Sequence, residues 1–355
     1  MAMPIETNGL VLPDPDLLAG LPTAQVLRWA EYLYTQPREP GKSPGLRPHV
    51  LAIYDPFAMR ADFPAGLRLC ANVYVGCTHN CSYCYGRNYI RDMQRPRAKE
   101  DFLHRAAADV RKLATLGGPP VPLHVSNSTD PFQEGLETTY GHTLALMRLV
   151  RDNRQLFSTV TFLTKNPLLA SQPQYATELA SLSPCQVEVS MTFADEAGRQ
   201  AYEPGSPSIA SRQEGIIRLR KAGIRTSLRI DPLLPREPLP APYWRSPWLA
   251  DHGVERTHSL AEIETLVHFA AAQGCERVIV SPMKLPVGRY ARKDFKEKFR
   301  KLYAEPYGGK PRTRSFAWRL PEPYVHEILI GEVKELCQRH GIALVGCKAN
   351  LITTP

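Results

Sequence analysis

The stretch Cys77-Thr78-His79-Asn80-Cys81-Ser82-Tyr83-Cys84 holds three of the chain's eight cysteines within eight residues, spaced C-x3-C-x2-C. It follows a β-rich run, Leu69–Val75, and starts directly after Gly76. Thiolates this close together are ligands for a soft metal centre, either zinc or an iron–sulfur cluster. Three is one short of a closed four-cysteine site. Zinc sites pair C-x2-C with a second, distant ligand pair, and here the other nearby donor is His79 within the same loop, which makes a cramped zinc site. Cys70, Cys185, Cys275, Cys337 and Cys347 follow no framework pattern and read as free thiols of a reducing compartment, with Cys185 and Cys275 buried beside apolar strands.

Outward from this loop the pattern alternates. Further β-rich runs fall at Val121–Asn127, Ser158–Leu163, Gln186–Met191, Thr226–Ile230, Arg277–Val280 and Ala343–Val345. Helix-like stretches separate them: Asp101–Leu116, Thr138–Arg151, Gln174–Leu182, Ser211–Ala222, Leu260–Gln273 and Tyr324–His340. Ser211 with Glu214 and Ser259 with Glu262 fit capping boxes, and Gly223, Gly274 and Gly341 sit where helices would stop. Repeated strand–helix alternation predicts a parallel sheet covered by helices, here a partial (β/α)6-type TIM barrel. In such barrels chemistry gathers at the C-terminal ends of the strands, the face on which the cysteine loop lands. The expected organisation is an N-terminal extension over 1–65, a core barrel over 66–290, and a basic, aromatic segment with a closing helix and strand over 291–355. The extension carries a helical pattern, Ala24–Tyr34, and a Pro/Gly-rich stretch, Gln36–Pro48.

No apolar run approaches the roughly 20 residues that span a bilayer, and Met1–Asp16 lacks the basic and apolar regions of a secretion signal, so a cytoplasmic location is expected. The net charge of +9 is concentrated: Pro286–Leu320 contains eleven basic and three acidic residues. Aromatics interleave with them, among them Tyr290, Phe295, Phe299, Tyr303, Tyr307, Phe316 and Trp318. The segment Arg289–Arg319 is either a polyanion-binding surface, with charge for phosphates and flat faces for bases, or a solvated helix over Ala291–Tyr303 whose aromatics face the core.

C-x3-C-x2-C after the first strand of a repeating β/α domain, with Tyr83 before the last cysteine, resembles the radical S-adenosylmethionine (SAM) superfamily. Ser128-Thr129-Asp130-Pro131-Phe132-Gln133, Thr164-Lys165, Ser190, Tyr202-Glu203-Pro204 and Arg229-Ile230-Asp231-Pro232-Leu233-Leu234-Pro235 are similar to its spore-photoproduct-lyase-like branch. The resemblance implies that Cys77, Cys81 and Cys84 hold a [4Fe–4S] cluster whose open iron takes the amino and carboxylate groups of SAM. One electron then releases methionine and a 5′-deoxyadenosyl radical that abstracts a substrate hydrogen. It further implies an external reductant such as flavodoxin or ferredoxin. Lys165 is implied as partner of the SAM carboxylate, with Ser190 and Thr129 as polar partners, Tyr83 against the adenine, and Arg229 among the cofactor-binding residues. Lys165 also reads as a surface lysine and Ser190 as a core hydroxyl. Asp130 and Asp231 either orient the ligand or cap the next helix. Tyr85 stands where this branch uses a tyrosine in radical relay, and reads equally as a packing residue.

The resemblance stops at Asn127. The branch's lyase has at this position a cysteine that returns a hydrogen atom to the substrate radical, and asparagine cannot. Cys347 is the remote thiol considered in its place. The substrate is therefore unassigned: nucleic acid on the strength of the basic segment, or a peptide or small metabolite. A non-catalytic, zinc-dependent nucleic-acid-binding module is the reading from another class.

Overall fold

The computed structural model describes residues 6–7, 10–11, 50–54, 68–88, 90–304 and 317–346. The pattern Ala24–Tyr34, the stretch Gln36–Pro48, Cys347, Tyr307, Phe316 and the basic residues Lys310, Arg312 and Arg314 lie outside the described residues.

Eight strands form one sheet: β1 Leu51–Tyr54, β2 Arg68–Ala71, β3 Val121–Val125, β4 Phe157–Thr164, β5 Cys185–Ser190, β6 Arg225–Leu233, β7 Arg277–Pro282 and β8 Ala343–Gly346. They neighbour one another in chain order. β1 is antiparallel to β2, and every pair from β2 to β8 is parallel. The end strands β1 and β8 are not paired with each other among the described residues, so the barrel is open. The helices used below are α1 Phe102–Leu116, α2 Leu136–Tyr140, α3 His142–Asp152, α4 Pro167–Ala170, α5 Pro173–Ser181, α6 Glu196–Tyr202, α7 Ile209–Lys221, α8 Leu260–Ala272, α9 Lys293–Ala304 and α10 Gly331–Arg339.

The strands follow the period of two. Leu123 and Val125, Val187 and Val189, and Leu228 and Ile230 are fully or almost fully buried in the hydrophobic core. Residues that alternate with them, His124, Ser190 and Arg229, line a central cavity. Strands covered on both faces usually read as continuous apolar runs. The alternation here marks an interior that is polar.

Four sequence expectations change in detail. The strand over Leu69–Val75 is two pieces: β2 ends at Ala71, and Tyr74–Val75 leaves the sheet to pair with Arg97–Ala98. The helix over Thr138–Arg151 breaks into α2 and α3 at Gly141, whose φ of 61° is left-handed. The Ser211–Glu214 capping box is not formed. α7 starts earlier, with Ser208 as its cap accepting from the Ser211 amide, so Ser211 already lies in the first turn. The last helix opens as a π-helical segment, Tyr324–Ile330, before α10. Of the two readings of the basic segment, the burial of Phe295, Phe299 and Tyr303 on α9 matches the helix whose aromatics face the core, so these rings are not faces for stacking bases. The Ser259–Glu262 capping box forms in full at α8. Cys185 and Cys275 are buried free thiols. No helix among the described residues is long and apolar enough to cross a membrane.

Candidate active site

The C-terminal ends of β2 to β7 and the loops that follow them enclose one cavity of about 410 Å³, and Cys77, Cys81 and Cys84 all line it. The cysteine loop is held by other strand-end segments. The Cys77 amide donates to Met93 O at 2.9 Å, the Ser82 amide to Tyr202 O at 2.8 Å, and the Gly205 amide to His79 O at 3.0 Å. The Thr78 amide donates to Gln133 Oε1 at 2.8 Å, and Arg87 Nε to Cys81 O at 3.1 Å. Gly205 must be glycine for this approach: a Cβ there would lie 2.2 Å from Thr78 O. Burial pushes all three thiols up, Cys81 to about 12. Without a cation they are thiols; a bound metal reverses that balance.

Asp130 serves this loop. Its Oδ2 takes His79 Nε2 at 2.8 Å and the Lys165 amide at 2.6 Å; its Oδ1 takes the Phe132 amide and Thr164 Oγ1, both at 2.8 Å. A carboxylate has about four acceptor sites, and here all four face protein donors. Asp130, which lines the cavity, is thus also the hub joining the β2, β3 and β4 loops. Burial raises its carboxyl, but the His79 ring and the backbone donors outweigh this and hold it below the ordinary range. The same contact takes His79 away from the thiols.

Lys165, at the end of β4, donates to Ser190 Oγ at 2.6 Å and to Glu203 Oε1 at 2.9 Å, with its Nζ 5.6 Å from the Tyr83 ring centre. Glu203 also accepts from the Tyr83 hydroxyl and from Arg212 Nη2, the latter at 2.6 Å. Glu203 and Arg212 are fully buried. Burial alone would raise the Glu203 carboxyl; Arg212 and Lys165 overcome that and hold it well below the usual carboxylate range. Two cations and one anion leave this corner one net positive charge, which suits a carboxylate ligand. Sequence reasoning quoted Glu203 without a role and missed Arg212, because an arginine on a helix is ordinarily a surface residue.

A second ion cluster lies on the strands. Arg229 bridges Glu188 and Asp231, at 2.6 Å to each, so its charge is already matched by protein carboxylates. It lines the cavity from between these partners. His124 stands 3.8 Å from Glu188 Oε2, and burial lowers it to about 4, so it is neutral. Thr129 lines the cavity, its hydroxyl 3.4 Å from Ser126 Oγ. Tyr85 stands half out of the cavity, 41% exposed, with Lys284 Nζ 5.8 Å from its ring centre. Asn127 lines the cavity and donates from Nδ2 to Cys70 Sγ at 2.9 Å. The thiol behind Asn127 is thus Cys70, one of the scattered cysteines of the sequence, on the strand that pairs with β3, where Cys70 faces His124 in register.

An open β/α barrel with three thiols at the strand ends defines a class, and the comparisons name it. Residues 71–238, a little under half of the chain, match the model of the radical SAM superfamily. Mutant spore photoproduct lyase with bound AdoMet and dinucleoside spore photoproduct has the same fold, at a TM-score of 0.56, 11% identity, and coverage of 78% of this chain and 75% of that one. Streptococcus suis SuiB bound to the precursor peptide SuiA superposes with a TM-score of 0.51 at 12% identity, over 79% of this chain and 49% of SuiB. Uncharacterized proteins of Mycobacterium tuberculosis and Mycobacterium bovis are 24% identical over 182 residues, which is 48% of this chain and 50% of theirs. The chain thus spans about half the length of the curated relatives it matches.

A radical SAM domain implies a [4Fe–4S] cluster and SAM, and the residues fit both. Three thiols supply the cluster's soft donors. Among the described residues no three His, Cys, Asp or Glu side chains converge as ligands of a single ion. The three cysteines line one cavity, which leaves room for a body larger than one ion. The positive corner at Lys165 beside them suits the amino acid end of SAM.

Proposed function

We propose that the chain is a radical SAM enzyme that binds SAM in the cavity and abstracts hydrogen from a nucleic acid substrate. The observation that carries the first part is that Cys77, Cys81 and Cys84 line one cavity with Lys165 and Ser190. When bound and reduced, the cluster supplies the electron that splits SAM into methionine and a 5′-deoxyadenosyl radical. The chain's own residues do the positioning. Lys165 pairs with the SAM carboxylate while Glu203 keeps it in place, and Ser190 and Thr129 add polar contacts. Tyr83, pinned through its hydroxyl to Glu203, offers its ring face to the cavity. Tyr85, at the mouth, is placed to meet substrate or relay a radical outward.

The nucleic acid part rests on charge. Lys293, Arg300 and Lys301 are exposed on α9, and Arg289 and Arg292 precede it. With Phe295, Phe299 and Tyr303 buried, such a surface holds phosphates and leaves base contacts to the cavity.

Anaerobic reconstitution with iron and sulfide, followed by reduction in the presence of SAM, should give a brown protein that forms 5′-deoxyadenosine. Cys77→Ala, Cys81→Ala and Cys84→Ala should each lose both colour and cleavage, and cleavage surviving in any of them would sink the proposal. The protein should be retained by DNA at about 50 mM salt and released as salt rises. A colourless protein holding one zinc would establish the non-catalytic reading instead.

A further inference from the structure

Among the described residues, Trp248 is the most exposed of the large apolar side chains, at 57%. It stands in the long connection from β6 to α8, well away from the cavity lining. Burying a large apolar side chain stabilises a fold by roughly 1.5–3 kcal/mol, and this chain forgoes that at a tryptophan. A loose loop is not the reason. The Leu239 amide donates to Pro247 O at 2.9 Å, the Leu249 amide to Glu237 Oε1 at 2.6 Å, and the Trp248 amide to Ser246 Oγ at 3.2 Å. Leu249, the next residue, is buried in the core. The backbone is thus fixed on both sides of Trp248, and it turns a leucine inward and the indole to solvent.

The same loop is fastened to the basic helix. Trp244 Nε1 donates to Leu302 O at 3.2 Å, and the turn Ala250–His252, just after Trp248, packs on α9. The end of α9 that the loop grips is the one that shows Arg300 and Lys301, next to Leu302, to solvent. Arg245, in the loop itself, is exposed as well. Of the loop's acids, Asp251 is bonded to Ser246 and Glu237 holds the Leu249 amide, while Glu255 is exposed. The rings of α9 are buried, so they offer nothing flat to a base that stays outside the cavity. Trp248 supplies what α9 lacks. Cations for phosphates with a fixed aromatic face beside them are what single-stranded nucleic acid binds, and stacking tolerates any sequence because every base has a π-face. A duplex keeps its bases stacked inside and gives the indole only sugar and phosphate to touch. The eleven basic against three acidic residues over Pro286–Leu320 favour such a polyanion over a protein surface.

We propose that Trp248 is a surface stacking platform for a base of single-stranded nucleic acid, with Arg300 and Lys301 holding the adjoining phosphates. This rests on the reading of the protein as one that acts on nucleic acid. The test is fluorescence anisotropy of a labelled oligothymidylate, and of its duplex with oligoadenylate, titrated with the reconstituted, unreduced protein at about 50 mM salt. The single strand should bind more tightly than the duplex. Trp248→Ala should weaken single-strand binding about tenfold, equal to about 1.4 kcal/mol, and change duplex binding little. Trp248→Phe, which keeps a ring, should lose less. Arg300→Ala with Lys301→Ala should flatten the slope of log affinity against log salt by about one to two, with the preference for single strand kept. Melting temperature and cluster absorbance report that each variant is folded. Equal single-strand affinity in wild type and Trp248→Ala overturns the proposal, and so does equal affinity of the wild type for single strand and duplex. A dimer in sedimentation that Trp248→Ala dissociates, with DNA affinity unchanged, also overturns it and makes the indole a contact between copies of the chain. The two levels separate in the same titrations. If the wild type binds neither DNA, the nucleic acid reading falls and the platform with it; salt-dependent binding that Trp248→Ala leaves untouched removes the platform alone.

Discussion

Glu203 shows how much one side chain can organise. It has no exposure, yet it holds Arg212, Lys165 and the Tyr83 hydroxyl at once. Glu203→Gln removes the charge and leaves Arg212 buried and uncompensated, a loss of about 3–5 kcal/mol. Denaturant unfolding of the variant measures this; a change below about 1 kcal/mol would mean that Arg212 finds another partner. Asp130 is a different case. Its position at the end of a strand was legible in the sequence, but its partners were not, because His79, Thr164 and Lys165 come from loops 34 to 51 residues away. Sequence spacing carries no information on which loops meet at a strand end.

At the scale of single elements, the caps separate what local sequence can say. The Ser259–Glu262 box is a short-range pattern and forms as expected. The same pattern at Ser211–Glu214 is set aside because Ser208, three residues earlier, caps first. Ser208→Ala should therefore cost about 1 kcal/mol and Ser211→Ala close to nothing, measured by denaturant midpoints. The reverse order would restore the later helix start. Two glycines permit a related comparison. A Cβ on Gly205 would strike the cysteine loop at Thr78 O, whereas one on Gly215 in α7 would strike α4, 2.3 Å from Leu168 N. Both Gly→Ala variants should lose about 1–3 kcal/mol of stability. Only Gly205→Ala should also lower iron and sulfide content after reconstitution. Equal cluster content in the two would mean that the loop yields without losing its geometry.

At the scale of the whole molecule, stability should depend on pH through the buried imidazoles. His124 and His258 are both lowered to about 4, chiefly by burial. In the unfolded chain each titrates near its ordinary value of roughly 6.5. Between those limits the unfolded state binds more protons, so stability is fully present above pH ~6.5 and falls on acidification toward pH ~4, by up to about 2.7 kcal/mol per pH unit for the two together. Unfolding free energies measured across this window check the slope, and a flat profile would require the two rings to be protonated when folded. The fold class, the order of the parallel strands β2 to β8, and the three-thiol loop on the ligand face were determined by the sequence by itself, because period, turn residues and the C-x3-C-x2-C spacing are local properties of the chain. The polar barrel interior, the Glu203 and Arg229 ion clusters, the Cys70 thiol behind Asn127 and the buried, neutral His124 were decided only by the tertiary structure. Each depends on which strand faces join across the barrel, and burial and charge pairing are set by neighbours distant in sequence.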